Sequence, residues 1–173
     1  ACPTGAMSLE VSSDNEVVAR MAADGWLEQA GYLQGGAEEP RILAFICQWS
    51  IHSDAEWHRL QELDSPQLRL VNLPCSGRVD PEMVLLALTS GADGVLVMGC
   101  AEGECHYQRG TYLGRGKLAL LGQMLDQMGL DARRVRFAES KSLDRAVLPR
   151  LVADMVDAIK TSVNVTAAKE RHG

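Results

Sequence analysis

Four cysteines occupy positions at which a parallel sheet would bring them together. Three apolar segments of the kind that forms buried strands end at Cys47, Cys75 and Cys100, and Cys105 follows shortly after the third. Parallel α/β proteins bind their ligands beyond the carboxyl ends of the strands, so thiols at these ends are expected to meet at one edge. Four converging thiolates indicate an iron–sulfur cluster or a zinc ion.

The spacing of these cysteines favours a cluster over zinc. Four thiolates suit both a [2Fe–2S] cluster and a structural zinc ion, but structural zinc sites usually carry C-x2-C pairs, which this chain lacks. Buried cysteine also serves as a small hydrophobic residue, although three at successive strand ends are hard to explain by packing. We therefore predict a [2Fe–2S] site, with zinc as its competitor. The predicted ligands are Cys47, Cys75, Cys100 and Cys105.

Five residues beside the cysteines are predicted to surround the cluster. Gly77 and Gly99 lack side chains and so allow backbone N–H groups to approach sulfur closely. Trp49 is expected to shield the cluster from water, and Arg78 to offset its negative charge. His106 directly follows the last of the four cysteines and is a candidate donor to a cluster sulfur.

Composition limits the class of protein. The chain has 173 residues, of which 46% are hydrophobic, enough for one domain with its own core. The net charge of −6 argues against a nucleic-acid partner, which would require a basic face. No apolar run is long enough to span a bilayer, and no secretion signal opens the sequence. We expect a cytoplasmic protein without direct membrane insertion.

The elements that must position the cysteines form an alternating pattern. Continuous Ile, Leu and Val runs predict strands covered on both faces, as in parallel sheets. The predicted strands are 41–47, 69–74, 94–99 and 134–138. The predicted helices between and after them are 53–63, 80–90, 111–128 and 143–161. This order predicts an α/β fold: a small doubly wound, mainly parallel four-stranded sheet with helices on both faces, preceded by a helical segment over 12–33.

The chain divides into four predicted parts. Residues 1–10 contain Cys2 followed by proline, which is similar to the end of a ferredoxin motif, so Cys2 would bind a [4Fe–4S] cluster only in a longer parent chain. Residues 11–39 are predicted as a helix and linker, 40–162 as the iron–sulfur domain and 163–173 as a flexible tail.

Other functions stay open at this point. The chain contains no Ser–His–Asp order, dinucleotide glycine loop or P-loop, so we predict no catalytic residue and no turnover of its own. A zinc-bound or metal-free docking domain would keep the same fold. A flavodoxin-like flavin binder is supported by the fold class and by Ser50 and Ser53 in the first loop. Thiol–disulfide exchange between Cys100 and Cys105 is a weaker alternative, because the spacing is not C-x-x-C.

Four short segments carry a family resemblance: Cys47–Ser50, Cys75–Pro81, Gly91–Cys100 and Gly103–Tyr107. Over about residues 40–161 the chain resembles the delta subunit of methyl-viologen-reducing hydrogenase. The resemblance implies a small iron–sulfur protein that passes electrons between a hydrogenase or formate dehydrogenase and heterodisulfide reductase. It also implies a [2Fe–2S] cluster on the four cysteines named above.

Two details qualify the resemblance. The family commonly has a second cysteine three positions after the first, where this chain has Ser50. Delta-type domains also occur fused behind a flavoprotein that carries ferredoxin modules and resembles the large flavin-containing component of heterodisulfide reductase, as in quinone-interacting membrane-bound oxidoreductase complexes. With its ferredoxin-like start, the chain resembles the carboxyl-terminal piece of such a fusion, whose partners would include that flavoprotein.

Overall fold

Strands and helices alternate in the structure, a computed structural model that describes residues 21, 25–26, 39–51, 53–140 and 147–170. The strands are β1 (Ile42–Cys47), β2 (Leu68–Leu73), β3 (Gly94–Cys100) and β4 (Val135–Ser140). The helices are α1 (Asp54–Gln61), α2 (Pro81–Thr89), α3 (Gly110–Gln127) and α4 (Val147–Glu170). None of the helices within these residues combines the length and apolarity that a membrane span requires. The predicted α/β class and the four strands are confirmed.

The sheet is parallel throughout, in the order β2-β1-β3-β4. The chain moves outward from β1 to β2, then returns across β1 to β3 and β4, which is the doubly wound arrangement. Cys47 lies level with Leu73 at the end of β2, and Cys100 lies level with Ser140 at the end of β4. All four strands therefore end at one edge, called here the carboxyl edge.

The core consists of two apolar layers, one on each face of the sheet. Alternate residues of the central strands face opposite sides, and both sets are apolar because both faces are covered. Leu43 and Val97 lie in the layer covered by α2 and α3, whereas Ala44 and Met98 lie in the layer covered by α1 and α4. Full burial of large aliphatic side chains contributes roughly 1.5–3 kcal/mol each, which fixes the strands that carry the cysteines.

The last helix differs from its predicted bounds. It extends to Glu170, beyond the predicted end at residue 161. The segment 162–170 contains no glycine or proline that would stop a helix, and Pro149 is tolerated because it lies in the first turn. The predictions for residues 1–10, with Cys2, and for the helix over 12–33 lie outside the described residues, apart from positions 21, 25 and 26.

The opposite edge of the sheet, the amino edge, is held by charged side chains. The backbone N–H of Arg41 donates to the Asp93 carboxylate at 2.9 Å. Arg134, which is 3% exposed, donates from Nε to the carbonyl of Asp93 at 2.7 Å and from Nη2 to that of Ala92 at 3.2 Å. The Arg41 guanidinium also lies over the ring of Trp26, 4.4 Å from its centroid. These bonds tie the starts of β1, β3 and β4 together.

Candidate metal centre

All four predicted ligands lie at the carboxyl edge. Cys47 and Cys100 are the last residues of β1 and β3, Cys75 follows the end of β2 by two residues, and Cys105 lies in the loop between β3 and α3. The exposed fractions are 2% for Cys47, 4% for Cys100 and 8% for Cys75, while Cys105 is half-buried. None of these four forms a disulfide. The centre is thus buried at three of its thiols and approaches solvent at Cys105.

Cys47 and Cys100 form a close pair. Their Sγ atoms are 3.7 Å apart, because β1 and β3 are neighbours and end at nearly the same level. Two thiolates on one tetrahedral metal, with metal–sulfur bonds of about 2.3 Å, lie roughly 3.8 Å apart. The two thiols are within hydrogen-bonding distance of each other, and their separation is also compatible with two ligands of one metal ion.

Cys75 and Cys105 meet at a second point, the first residue of α3. A Cβ atom on Gly110 would collide with Cys75 Sγ and would lie 3.2 Å from Cys105 Sγ. Both sulfurs thus occupy the space that a side chain at position 110 would fill. Glycine is required there because two thiols approach its Cα.

The loop that carries Cys75 packs against a second glycine on α3. A Cβ on Gly114 would lie 2.8 Å from the carbonyl oxygen of Ser76, and a Cβ on Gly77 would lie 2.9 Å from Gly110 Cα. The 3-10 turn Ser76–Arg78 therefore packs directly on the backbone of the first two turns of α3. This contact sets the position of Cys75 relative to Cys105.

Burial makes two of the thiols weak acids. Burial raises the pKa of Cys100 to about 12, and the adjacent Cys47 adds to this increase. Burial also raises the pKa of Cys75. The N–H of Gly77 donates to Cys75 Sγ at 3.4 Å and lowers this pKa, but burial has the larger effect. The thiols of Cys47 and Cys105 add to the increase at Cys75, so these sulfurs are within electrostatic reach of one another. A bound cation would lower the pKa of these thiols again, because metals bind cysteine as thiolate.

The pKa of Cys105 is shifted in the opposite direction. Burial alone would raise its pKa, but hydrogen bonds from Thr111 and from the backbone N–H groups of Tyr107 and Gly110 outweigh burial and lower the pKa below its ordinary value. Gly110 and Thr111 begin α3, so the positive end of the helix also faces this sulfur. The hydroxyl of Thr111 donates to the carbonyl of Cys100 at 3.1 Å and ties the helix to β3.

The predicted aromatic and imidazole neighbours form a surface cluster beside the thiols. Trp49 is 42% exposed, and its ring stacks on that of His106 with centroids 3.4 Å apart. Tyr107 meets both rings edge-on. The backbone N–H of His106 offsets part of the increase in the pKa of Cys100 that burial causes. The three rings lie beside the loop that holds Cys105.

The structure gives Gly99 a packing role. A Cβ there would lie 2.7 Å from the Phe137 ring and 2.9 Å from Ser76 Oγ, so its absence admits those two side chains. Arg78 ends the 3-10 turn after Cys75 and is half-buried. Ser50, at the position of the family's extra cysteine, is buried and donates to the carbonyl of Cys47 at 2.6 Å. Its hydroxyl closes the turn after β1.

Sequence reasoning missed the part that α3 plays. Gly110 and Gly114, spaced four apart, lie on the helix face that receives the thiols and the turn after β2. Lys117, also on this helix, donates from Nζ to the carbonyl of Gly77 at 3.2 Å and to Asp80 at 3.2 Å. The signal was present as two glycines at one-turn spacing in a segment that otherwise predicts a helix.

The arrangement of the donors fits a two-metal group. Within the described ranges, no three Cys, His, Asp or Glu side chains converge on one point as the ligands of a single ion would. One zinc ion needs all four sulfurs around it, whereas each iron of a [2Fe–2S] cluster takes two thiolates. The thiols lie in two pairs, Cys47 with Cys100 and Cys75 with Cys105. Each iron of a [2Fe–2S] cluster takes two thiolates, so this donor set is compatible with such a cluster.

Comparison with known proteins agrees with the motifs. The family model for the delta subunit of methyl-viologen-reducing hydrogenase matches residues 42–161. The chain belongs to this family. The match spans β1 to α4 and includes all four paired cysteines, so the resemblance carried by the sequence motifs is confirmed. The chain is thereby related to components of hydrogenase and heterodisulfide reductase systems.

Individual relatives are of two kinds. The chain is 41% identical over 99 residues to an iron–sulfur subunit of F420-non-reducing hydrogenase from Archaeoglobus profundus, covering 57% of this chain and 72% of that protein. It is 32% identical over 123 residues to the vhc iron–sulfur subunit of F420-non-reducing hydrogenase from Methanococcus voltae, covering 70% and 85%. It is also 40% identical over 98 residues to one subunit of the ferredoxin/F420H2-dependent CoB-CoM heterodisulfide reductase from Methanosarcina acetivorans, covering 56% of this chain but 12% of that protein.

Proposed function

We propose that this domain is a one-electron carrier with a [2Fe–2S] cluster bound by its four paired cysteines. The cluster, when bound, supplies the redox chemistry, and the protein supplies ligands, shielding and a docking edge. The ligands are Cys47, Cys75, Cys100 and Cys105. No substrate chemistry is assigned to the domain.

One observation carries the proposal: four thiols from separate parts of the chain form two pairs at one edge of the sheet. The 3.7 Å separation of Cys47 and Cys100 suits two ligands of a tetrahedral ion, and Gly110 makes room for the other pair. Packing alone would favour apolar side chains at these positions. Buried thiols whose pKa is raised become useful ligands once a metal takes up the thiolates.

The partners are inferred from the relatives. Two are named as iron–sulfur subunits of a hydrogenase, and the third is a heterodisulfide reductase component in which the similar region is a small part of a long chain. We infer that the domain relays electrons between a hydrogenase or dehydrogenase and a heterodisulfide reductase-like flavoprotein. The exposed rings of Trp49 and Tyr107 lie beside the thiols and offer the aromatic surface that protein interfaces favour.

The test is the metal content of anaerobically purified protein. We expect about two irons and two acid-labile sulfides per chain, and a [2Fe–2S] EPR signal after reduction with dithionite. Cys75→Ala should abolish the visible absorbance of the cluster. Cys2→Ser serves as the control, because Cys2 is not among the four proposed ligands, and it should leave the iron content unchanged.

Several other outcomes would contradict the proposal. One zinc per chain would indicate a zinc-bound docking domain, and no metal after anaerobic reconstitution would indicate a metal-free one. A flavin spectrum near about 450 nm without iron would indicate a flavin carrier, because the flavin would then do the redox chemistry. An unchanged spectrum in Cys75→Ala would remove Cys75 from the ligand set.

A further inference from the structure

We infer that α3 forms an interface with a second copy of this chain, in which the two α3 helices pack antiparallel across their outer faces. The contact does not require a bound cluster, so it goes beyond the proposed function. The apolar and charged side chains around α3 are distributed so that the helix is complementary to itself in the antiparallel orientation and not in the parallel one.

The outer face of α3 is apolar although it is exposed to solvent. Surface helices of soluble proteins normally turn charged residues outward, and an exposed apolar patch indicates an interaction site. Five large hydrophobic side chains on α3, or one residue beyond its end, are between 46% and 66% exposed: Tyr112, Leu113, Leu120, Met124 and Met128. Four of these five, together with Gly116, follow one another at intervals of four residues and so form one ridge along the helix.

The charged residues of α3 lie on its two flanks. Arg115 pairs with Glu139 of β4 at 3.0 Å, and Asp126 accepts a backbone N–H of the 3-10 turn before β4 at 3.2 Å. Lys117 pairs with Asp80, just before α2, at 3.2 Å. The segment 110–127, all of which the structure describes, contains no other charged residue. Arg115 and Asp126 therefore share the flank nearest β4, Lys117 lies on the flank nearest α2, and the outer face between them is uncharged.

These flanks suit an antiparallel copy. In a two-fold contact between antiparallel helices, each flank faces the same flank of the copy in reversed direction. With Leu120 on the axis, Arg115 of one copy then lies within about 1.5 Å, along the helix, of the level of Asp126 of the other. In a parallel contact opposite flanks face each other, and Arg115 would lie beside Lys117. The antiparallel contact therefore forms two opposite-charge pairs, whereas the parallel contact would form two like-charge pairs.

The sizes of the side chains along the ridge match in the same orientation. With Leu120 on the axis, Met124 of one copy lies opposite Gly116 of the other, and Met128 lies opposite Tyr112. Outside its chain neighbours and the nearby backbone of its own helix, no described atom lies within 4 Å of a Cβ on Gly116, so the space above it is open to a side chain. Methionine fills irregular gaps and makes favourable contacts with aromatic rings. Large side chains therefore meet either open space or a compatible partner.

The size of the face predicts a reversible dimer. Five large side chains from each copy, each about half exposed, bury on the order of 500–1,000 Å² in total, which is the lower end of specific interfaces. Because α3 begins at the carboxyl edge, antiparallel packing directs the carboxyl edges of the two copies to opposite ends of the dimer. Both edges thus stay free for other partners.

Sedimentation equilibrium of the whole 173-residue chain, under anaerobic and reducing conditions, tests the contact. We expect monomer–dimer exchange within about 10–500 µM, as for other small interfaces. L120E places two carboxylates at the two-fold axis and should raise the dimer dissociation constant by more than about 30-fold. Q61E is the matched control, because it adds the same negative charge at an exposed position of α1, on the opposite face of the sheet, and should leave the constant unchanged.

A charge exchange tests the orientation. R115D and D126R each replace two opposite-charge pairs with like charges, so each should weaken the dimer roughly three- to tenfold. The double variant R115D/D126R restores both pairs and should recover most of this loss. The two positions are about 16 Å apart along one helix, so the recovery can arise only between copies. R115D and the double variant both lose the pair with Glu139, and their comparison therefore isolates the contact between copies.

The opposite results are equally clear. A wild-type chain that stays monomeric over this range would overturn the inference, as would an L120E chain that dimerises like wild type. Stronger dimerisation of R115D would indicate parallel helices, in which the new carboxylate faces Lys117, and would overturn the antiparallel contact. Iron analysis of the same wild-type samples separates the two proposals. A dimer that binds no iron after anaerobic reconstitution overturns the proposed function alone, and an iron-loaded monomer overturns the inference alone.

Discussion

The two edges of this sheet are built from opposite kinds of residue. At the amino edge, Arg134 is buried, and its guanidinium donates short hydrogen bonds to the carbonyls of Asp93 and Ala92. At the carboxyl edge, the thiol of Cys47 is buried, and Gly110 leaves space for the sulfurs of two other cysteines. Hydrogen bonds from buried charged groups therefore connect the strands at one edge, whereas the other edge brings four thiols together.

The largest expected effect comes from filling the space between Cys75 and Cys105. Gly110→Ala places a methyl group where the two sulfurs lie, so we expect the variant to lose most of its bound iron and about 1–3 kcal/mol of unfolding free energy from overpacking. Iron analysis and chemical denaturation measure the two effects.

Gly116→Ala is the matched control on the same helix. Apart from the backbone of its own helix turn and its two chain neighbours, no described atom lies within 4 Å of a Cβ at this position. Alanine should therefore keep the iron and raise the free energy of unfolding by about 0.5–1 kcal/mol. Full iron content in Gly110→Ala would show that the sulfurs do not need this space.

The amino edge is tested by Arg134→Met, which should affect stability and leave the centre intact. The variant removes charged donors from two buried carbonyls, so we expect the free energy of unfolding to fall by about 2–3 kcal/mol. The folded fraction should keep its iron and its visible spectrum. Denaturation monitored by circular dichroism, with iron analysis of the same sample, makes the measurement.

The control for this edge is the neighbouring Arg133→Met. Arg133 is exposed and pairs with Asp131 at the surface, so its loss should leave the denaturation midpoint unchanged within error. Loss of iron from folded Arg134→Met would contradict the separate roles of the two edges.

The smallest effect distinguishes thiols within the carboxyl edge. In metal-free protein at neutral pH, Cys105 should react with iodoacetamide roughly tenfold or more faster than Cys100, because only the thiolate attacks. The pKa of Cys105 is lowered and that of Cys100 is raised to about 12, so the rate at Cys105 should level off while that at Cys100 still rises with pH. Mass spectrometry of the labelled peptides gives both rates, and first labelling at Cys100 would be the contrary result.

The class of fold, and the meeting of four cysteines at one edge of the sheet, could be predicted from the sequence. Continuous apolar runs are a strong signal when both faces of a strand are covered, so the four strands were predicted close to their observed positions. Cysteines at the ends of β1 and β3 had to share an edge, because all strands of a parallel sheet end on the same side. Short motifs around them carried the family resemblance.

How the four thiols group, and what surrounds them, depends on the tertiary structure. The pairing of Cys47 with Cys100 depends on which strands are neighbours, which no spacing along the chain specifies. The roles of Gly110 and Gly114 depend on a loop from β2 packing on α3, and the bonds to Cys105 depend on where that helix begins. Local patterns fix single elements, whereas these features arise from contacts between residues far apart in the chain.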